Sequence, residues 1–418
     1  MREYETEAGL KASISYFVKW LVIAAVIGSA GGLAGSIFSY GVSIATGLRL
    51  SHNWLLFFLP VSGVLIVWMY RTFKEEGNRG TNMVIEAISS DETITGATAP
   101  LIFISTILTH LAGGSSGREG AALQLGGSIG FSFGNLLKLD EKDKKIAIMC
   151  GMSAVFAALF GTPVAAGIFS LEVVSIGVLY YAALVPCIFS SYIGVGISRS
   201  MGLPGEHYAV SQIPSISPAT VAYVVILGIL CAFVSICFCI LLHKSEHIYK
   251  HLFPNPYVRI LAASALFIFL TLLIGRRDYC GSSMALIEGS MEGYARYEDF
   301  LLKMIFTAIA LGAGFKGGEI VPTLCIGATF GCAVGLITGF SPSLSAACGM
   351  AAMFAGVTNC PITSLVIALE LFGYEGMEYF SIIIAVTFAL SGYYGLYASQ
   401  KFVYSKTRTE FINRRSNE

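Results

Sequence analysis

The chain has 418 residues, 55% of them hydrophobic and only 12% charged, with a formal net charge of zero. A soluble domain carries about 25% charged residues, so the composition excludes an ordinary soluble enzyme, and no basic excess argues for nucleic acid as a partner. The 46 glycines suit membrane helices that pack closely.

A polar, amphipathic start (1–14) is too charged to open a cleavable signal, and the apolar run behind it is too long for one. That run, 15–47, carries Gly28, Gly31, Gly32 and Gly35 and exceeds one perpendicular span, so a long tilted helix is expected. Residues 53–70 and 98–113 follow as apolar runs. Shorter pieces at 121–136, 145–160, 163–176 and 177–200 are separated by Gly and Pro. The polar, turn-rich stretch 204–218 reads as a link. Beyond it come 219–242, 257–275 and 301–313, then short pieces at 320–338, 344–357, 361–373 and 379–399. Trp20, Trp54 and Trp68 sit near the ends of apolar runs, as interfacial aromatics do. His243, His247 and His251 fall between two runs and read as a solvated loop, not a metal site. The ten cysteines lie mostly in apolar runs, with neither metal-ligand nor disulfide spacing.

Residues 150–173 recur at 348–371 without a gap: Cys150/Cys348, Gly151/Gly349, Met152/Met350, Phe156/Phe354, Pro163/Pro361 and Glu172/Glu370 all match. Upstream of each copy lies a glycine-rich turn with a glutamate, GREG at 117–120 and KGGE at 316–319. Such self-similarity in apolar sequence indicates a two-repeat transporter. Many of the short segments cannot cross about 30 Å of hydrocarbon as straight helices, so helices ending inside the membrane are expected, with their N–H groups facing an anion. The organisation read from the sequence is a cytosolic segment (1–14), a first repeat (15–203), a link (204–218), a second repeat (219–400) and a cytosolic tail (401–418). Arg2 and Lys11 at one end and Lys401, Lys406, Arg408, Arg414 and Arg415 at the other place both termini in the cytosol.

Glu119, among glycines, serines and apolar residues, is a functional candidate by its setting, because a carboxylate near membrane depth is expensive. A surface salt bridge to Arg118 is the plain alternative. Gly117 and Gly120 let backbone amides approach an ion closely. Glu172 and Glu370 occupy equivalent places and suit an architectural role, tying helix ends together. His110 reads as a hydrogen-bonded buried histidine, with a proton relay as the alternative.

GREGAALQLGGSIG resembles the G-[KR]-E-G-P segment of the CLC family of anion channels and proton-coupled antiporters. GTPVAAGIFSLEV, GGEIVPTLCIGATFG and LYASQ (396–400) resemble further segments of that family, over roughly 15–405. The resemblance implies an all-α membrane protein of two inverted, intertwined helical repeats with broken and tilted membrane helices. It also implies a homodimer in the cell membrane with one anion path per subunit, no cofactor and no metal. Glu119 matches the family's gating glutamate, whose carboxylate competes with the anion for one place. Tyr397 matches the tyrosine that donates to the central anion, with Tyr404 the other candidate.

The departures from the family pattern carry further implications. The usual serine motif reads Gly80-Thr81-Asn82-Met83-Val84, leaving Thr81, Asn82 and Met83 as candidate liners. Val173 stands where chloride–proton antiporters carry a second glutamate. The segment Gly318-Glu319-Ile320-Val321-Pro322 has a glutamate where an apolar residue is usual and Ile320 for Phe, and Ala121 replaces a proline. These departures resemble the bacterial fluoride–proton antiporters of the family. Fluoride is a strong acceptor that costs much to dehydrate and so needs close donors. The expected function is export of fluoride in exchange for protons, with Glu119 and Glu319 as proton-dependent carboxylates and Gly318 and Ile320 beside the path. The alternative is a chloride–proton antiporter or passive chloride channel of the same fold. An intramembrane enzyme lacks a nucleophile–base pair or metal set inside a span.

Overall fold

A computed structural model describes residues 2–90 and 92–417, with side chains from Leu10 onward. The side chains of 1–9, including the Arg2 charge and part of the amphipathic start, lie outside that description. The first eight α-helices are α1 (Arg2–Ser51), α2 (Leu59–Thr72), α3 (Thr81–Ser89), α4 (Thr98–Ala112), α5 (Glu119–Leu136), α6 (Glu141–Phe160), α7 (Pro163–Glu172) and α8 (Leu184–Ser200). After a helix-free stretch the order repeats as α9 (Pro218–Leu252), α10 (Pro256–Ile274), α11 (Met284–Met291), α12 (Asp299–Ala313), α13 (Ile320–Thr338), α14 (Pro342–Thr358), α15 (Pro361–Phe372) and α16 (Met377–Leu390).

The helix boundaries follow from local chemistry. Pro163 and Pro361 each sit at the first helical position, where a missing N–H costs nothing. Gly113 and Gly314 end α4 and α12 in left-handed conformation, which glycine adopts without strain. Among the described residues six helical segments are long and apolar enough to cross a membrane. Others are not: α7 has 10 residues, about 15 Å at 1.5 Å per residue, half the hydrocarbon thickness.

One device locks the repeats together in both directions, and a second packs neighbouring helices within each repeat. Glu172, at the end of α7, accepts hydrogen bonds from Ile362 N (3.1 Å), Thr363 N (2.8 Å) and Thr363 Oγ1 (2.6 Å) at the start of α15. Glu370, near the end of α15, accepts from Val164 N (3.0 Å) and Ala165 N (2.8 Å) at the start of α7. Each repeat caps the other's helix with a charge placed on orphan amides, which gives the matched glutamates their architectural role. The second device is close backbone approach. A Cβ on Gly151 would stand 2.0 Å from Gly126 O, and one on Gly349 would stand 2.1 Å from Gly327 O. The glycine of each repeated Cys-Gly-Met therefore lets α6 lie against α5 and α14 against α13, a contact no larger residue permits.

Several elements depart from the sequence expectations. The short helices α3 and α11 were not anticipated. α9 continues through His243, His247 and His251, so these lie on a helix and not in a loop; His243 Nδ1 is 2.7 Å from Cys239 O. The tail is not wholly irregular: β2 (Lys401–Tyr404) pairs in parallel with β1 (Ser175–Ile176) and antiparallel with β3 (Phe411–Arg415). Lys406 turns back into the fold, donating to Phe388 O (3.1 Å), Ser391 Oγ (2.9 Å) and Asn359 Oδ1 (2.5 Å).

Glu172→Ala is expected to cost about 2–4 kcal/mol, by loss of charge-assisted bonds and stranding of buried amides. Glu370→Ala should cost less, because Glu370 makes fewer bonds and is less buried. Melting temperatures of the purified variants check both the loss and the order.

Candidate functional site

The glycine-rich loops ending α4 and α12 meet back to back. Gly117 N donates to Gly318 O (2.6 Å) and Gly318 N donates to Gly117 O (2.7 Å), an isolated antiparallel bridge between the repeats. Glycine is required at Gly318: a Cβ there would stand 2.4 Å from Gly120 N and 2.9 Å from Glu119 N. The bridge brings the N-termini of α5 and α13 face to face, and helix N-termini carry free amides and partial positive charge. Two such ends together form an anion-attracting place inside the protein.

Glu119 is the first residue of α5 and is fully buried. Its Oε2 accepts from Arg118 N (2.9 Å) and, across the repeat interface, from Val321 N (3.3 Å) in the first turn of α13. Its Oε1 has no hydrogen-bond partner, although Arg118 Nε lies 3.7 Å away. The carboxylate thus sits on the amide of the opposing helix. Arg118 is fixed by other partners: Nη1 donates to Ser39 Oγ (3.1 Å), and Nη2 donates to Leu159 O (3.3 Å) and Glu206 Oε1 (2.7 Å).

Glu319 is the residue just before α13. Its Oε2 is buried without a partner and points toward Gly120, where an added Cβ would be 3.1 Å away. The plain alternatives for this glutamate are a pair with Lys316 or a cap on the helix N-terminus, and neither is observed. Its side chain makes no capping bond. Among the described residues no ion pair joins it to Lys316, whose ammonium lies over the Tyr70 ring at 4.4 Å. The two turns are also not equivalent position by position. Gly113 corresponds to Gly314 and Gly117 to Gly318, so Arg118 aligns with Glu319, and Glu119 with Ile320. Ile320 itself is fully buried.

Tyr397 is 1% exposed and its hydroxyl has no partner; it lies within electrostatic reach of both Glu319 and Glu119. Tyr404 is 49% exposed, on β2 with its ring against Phe411. Thr81 opens α3 after Gly80, which has φ 65°, and Thr81 Oγ1 donates to Gly120 O (3.3 Å). Asn82 Oδ1 accepts from Ser399 N (3.0 Å), tying α3 to the segment that bears Tyr397. Met83 is buried in the main core. Val173 is buried, and its carbonyl accepts from Gln400 Nε2 (3.0 Å). His110 is 1% exposed with Nε2 3.3 Å from Gly117 O.

Two polar residues escaped the sequence reading. Gln124 Nε2 donates to Gly120 O (3.2 Å), the carbonyl Thr81 also uses, and its Oε1 is buried without a partner. Its only signal is an amide side chain between apolar residues in the glycine-rich first half of α5. Glu206 lay in the polar link, where nothing in the sequence connects it to Arg118.

The family model described as voltage gated chloride channel matches residues 62–392. A protein of Pseudomonas syringae pv. tomato named "Chloride/fluoride channel protein" is 32% identical, over 94% of this chain and 88% of that protein. The fold superposes on a crystal structure of a CLC-type fluoride/proton antiporter with TM-score 0.88 and 31% identity, covering 92% of this chain and 98% of that one. A slow cyanobacterial Cl−/H+ antiporter shares the fold at TM-score 0.77 and 19% identity, covering 89% and 94% of the two chains. With this coverage and the paired helix ends in place, the chain belongs to the voltage-gated chloride channel family, the CLC family.

Proposed function

We propose that the protein exports fluoride in exchange for protons. One observation carries the reading: the Glu119 carboxylate occupies the Val321 amide at the mouth of α13 (3.3 Å), with the unpartnered oxygen of Glu319 beside Gly120. Two carboxylates therefore share one pair of helix ends. An ionised Glu119 holds the place and excludes an anion by like charge. Protonation removes the charge, releases the amide and opens the place to fluoride. Anion and proton then use the same position in alternation, and an inward proton gradient drives fluoride outward.

The donor set suits fluoride. Backbone amides, the free Tyr397 hydroxyl and a protonated Glu319 supply short, strong hydrogen bonds that replace a costly hydration shell. Thr81 and Asn82 hold α3 against Gly120 and Ser399, positioning the path more than lining it. Glu319 also supplies a titratable group that could carry the proton inward, which Val173 cannot. The name of the Pseudomonas relative supports fluoride as an ion, and that of the antiporter structure supports the fluoride–proton pair. A chloride–proton exchanger is the second reading, supported by relatives named H(+)/Cl(−) exchange transporter at 26% identity. We further propose a homodimer in the cell membrane with both termini cytosolic, acting as a transporter and not an enzyme. The repeats 15–203 and 219–400 then work as two halves around one path, between cytosolic ends at 1–14 and 401–418.

Proteoliposome flux with simultaneous fluoride and pH electrodes tests the proposal. Wild-type vesicles should release fluoride at least tenfold faster than chloride; equal rates would favour the second reading. Glu119→Gln should lose proton movement while fluoride still crosses, and wild-type coupling in that variant would remove Glu119 from its role. Tyr397→Phe removes a hydrogen bond to an anion, worth about 1.5–3 kcal/mol, so fluoride affinity should fall roughly tenfold or more. Isothermal titration with fluoride reads that change.

A further inference from the structure

Away from the paired helix ends, at the C-terminal end of α1, a cavity of about 170 Å³ is lined by Arg49, Leu50, Asn53, Leu56, Arg277 and Cys280. Arg49 is in the last turn of α1. Its Nε is buried and has no hydrogen-bond partner. Among the described residues it forms no ion pair. The ionisable groups close enough to interact with it are Arg277, Cys280, His110 and Lys303, none of them a carboxylate. Arg277 donates through Nη1 to Asn53 O (2.9 Å) and Oδ1 (2.5 Å), which fixes its fork at the cavity wall. The nearby acids are engaged elsewhere: Asp278 with Arg296 (3.1 Å) and Glu298 with Arg276 (3.0 Å).

The fold is shaped around this guanidinium. A Cβ on Gly281 would stand 3.1 Å from Arg49 Nη2, and one on Gly113 would stand 3.2 Å from Arg49 Cδ. Gly281 N also donates to Gly113 O (3.2 Å), joining the cavity wall to the loop that carries Glu119. A partly buried arginine without a counter-charge is costly, and two guanidinium forks beside one cavity match the oxygens of a tetrahedral oxyanion. Leu50 of the lining is 70% exposed, and Trp54 and Phe57, which flank the lining residues Asn53 and Leu56 in the chain, are 61% and 54% exposed. That is the composition of a membrane–water interface, where lipid phosphates lie.

We infer that the Arg49–Arg277 cavity binds a phosphate group, presented by a lipid headgroup or free in solution. The inference is independent of which anion the protein transports. The test is the melting temperature of the purified full chain in detergent, titrated with sodium phosphate, with dihexanoyl phosphatidylglycerol, and with sodium chloride at matched ionic strength. At least one phosphate probe should raise the melting temperature saturably. The half-saturating concentration should rise roughly tenfold or more in Arg49→Gln, and also in Arg277→Gln, as charge-assisted bonds are lost. The second variant alters a side chain outside α1 and serves if the first does not fold. A response to the lipid alone assigns the site to a headgroup, and a response to both admits free phosphate. No response to either probe, an equal response to chloride, or unchanged titrations in both variants would overturn the assignment.

Discussion

Two backbone hydrogen bonds between Gly117 and Gly318 hold the structure's functional logic together. They join the repeats at the point where each sends a helix N-terminus inward. Unpaired amides inside a membrane cost several kcal/mol each, so this arrangement is stable only if something negative satisfies it. The Glu119 carboxylate does so through Val321 N. The need for an occupant, and the availability of a built-in one, follow from the same constraint.

The rest of the fold serves to keep those ends in place. Glu172 and Glu370 cap each other's repeats, and the Gly126–Gly151 and Gly327–Gly349 contacts press α5 on α6 and α13 on α14. Arg118 adds a third tie, from the Glu119 turn to α1, α6 and the link between repeats. A rigid frame matters because an amide presented to a small anion must not move away when the carboxylate leaves. Glu319 is the exception to this economy. A buried carboxylate oxygen without a partner is costly to keep, and the proposed exchange gives it one when fluoride or a proton arrives.

Much of this was legible in the sequence because membrane burial constrains composition so tightly. The repeated Cys-Gly-Met, proline and glutamate mark close helix contact, a helix start and a reciprocal cap, each with a physical reason for its residue type. The span 320–338 coincides with α13 because the Gly317–Gly318 turn precedes its N-cap Glu319 and Gly339, in left-handed conformation, ends it. The short α3 and α11 escaped because nine and eight residues give too little apolar periodicity to register. The histidines at 243–251 look like a loop because the helix outruns its apolar stretch. Glu206 and the tail strands depend on contacts between distant segments that no local pattern encodes. The paired turns also misled: GREG and KGGE look like counterparts, yet the bridge aligns Glu319 with Arg118, so the two carboxylates approach from different positions.

The central claim is that carboxylate and anion use one place in turn, which forces protons and fluoride to move in opposite directions. The most direct measurement is internal pH in proteoliposomes loaded with fluoride, at equal pH on both sides and with the membrane potential clamped at zero. The account predicts that fluoride leaving down its gradient drives protons in and acidifies the interior. Fluoride efflux with an unchanged internal pH would contradict it.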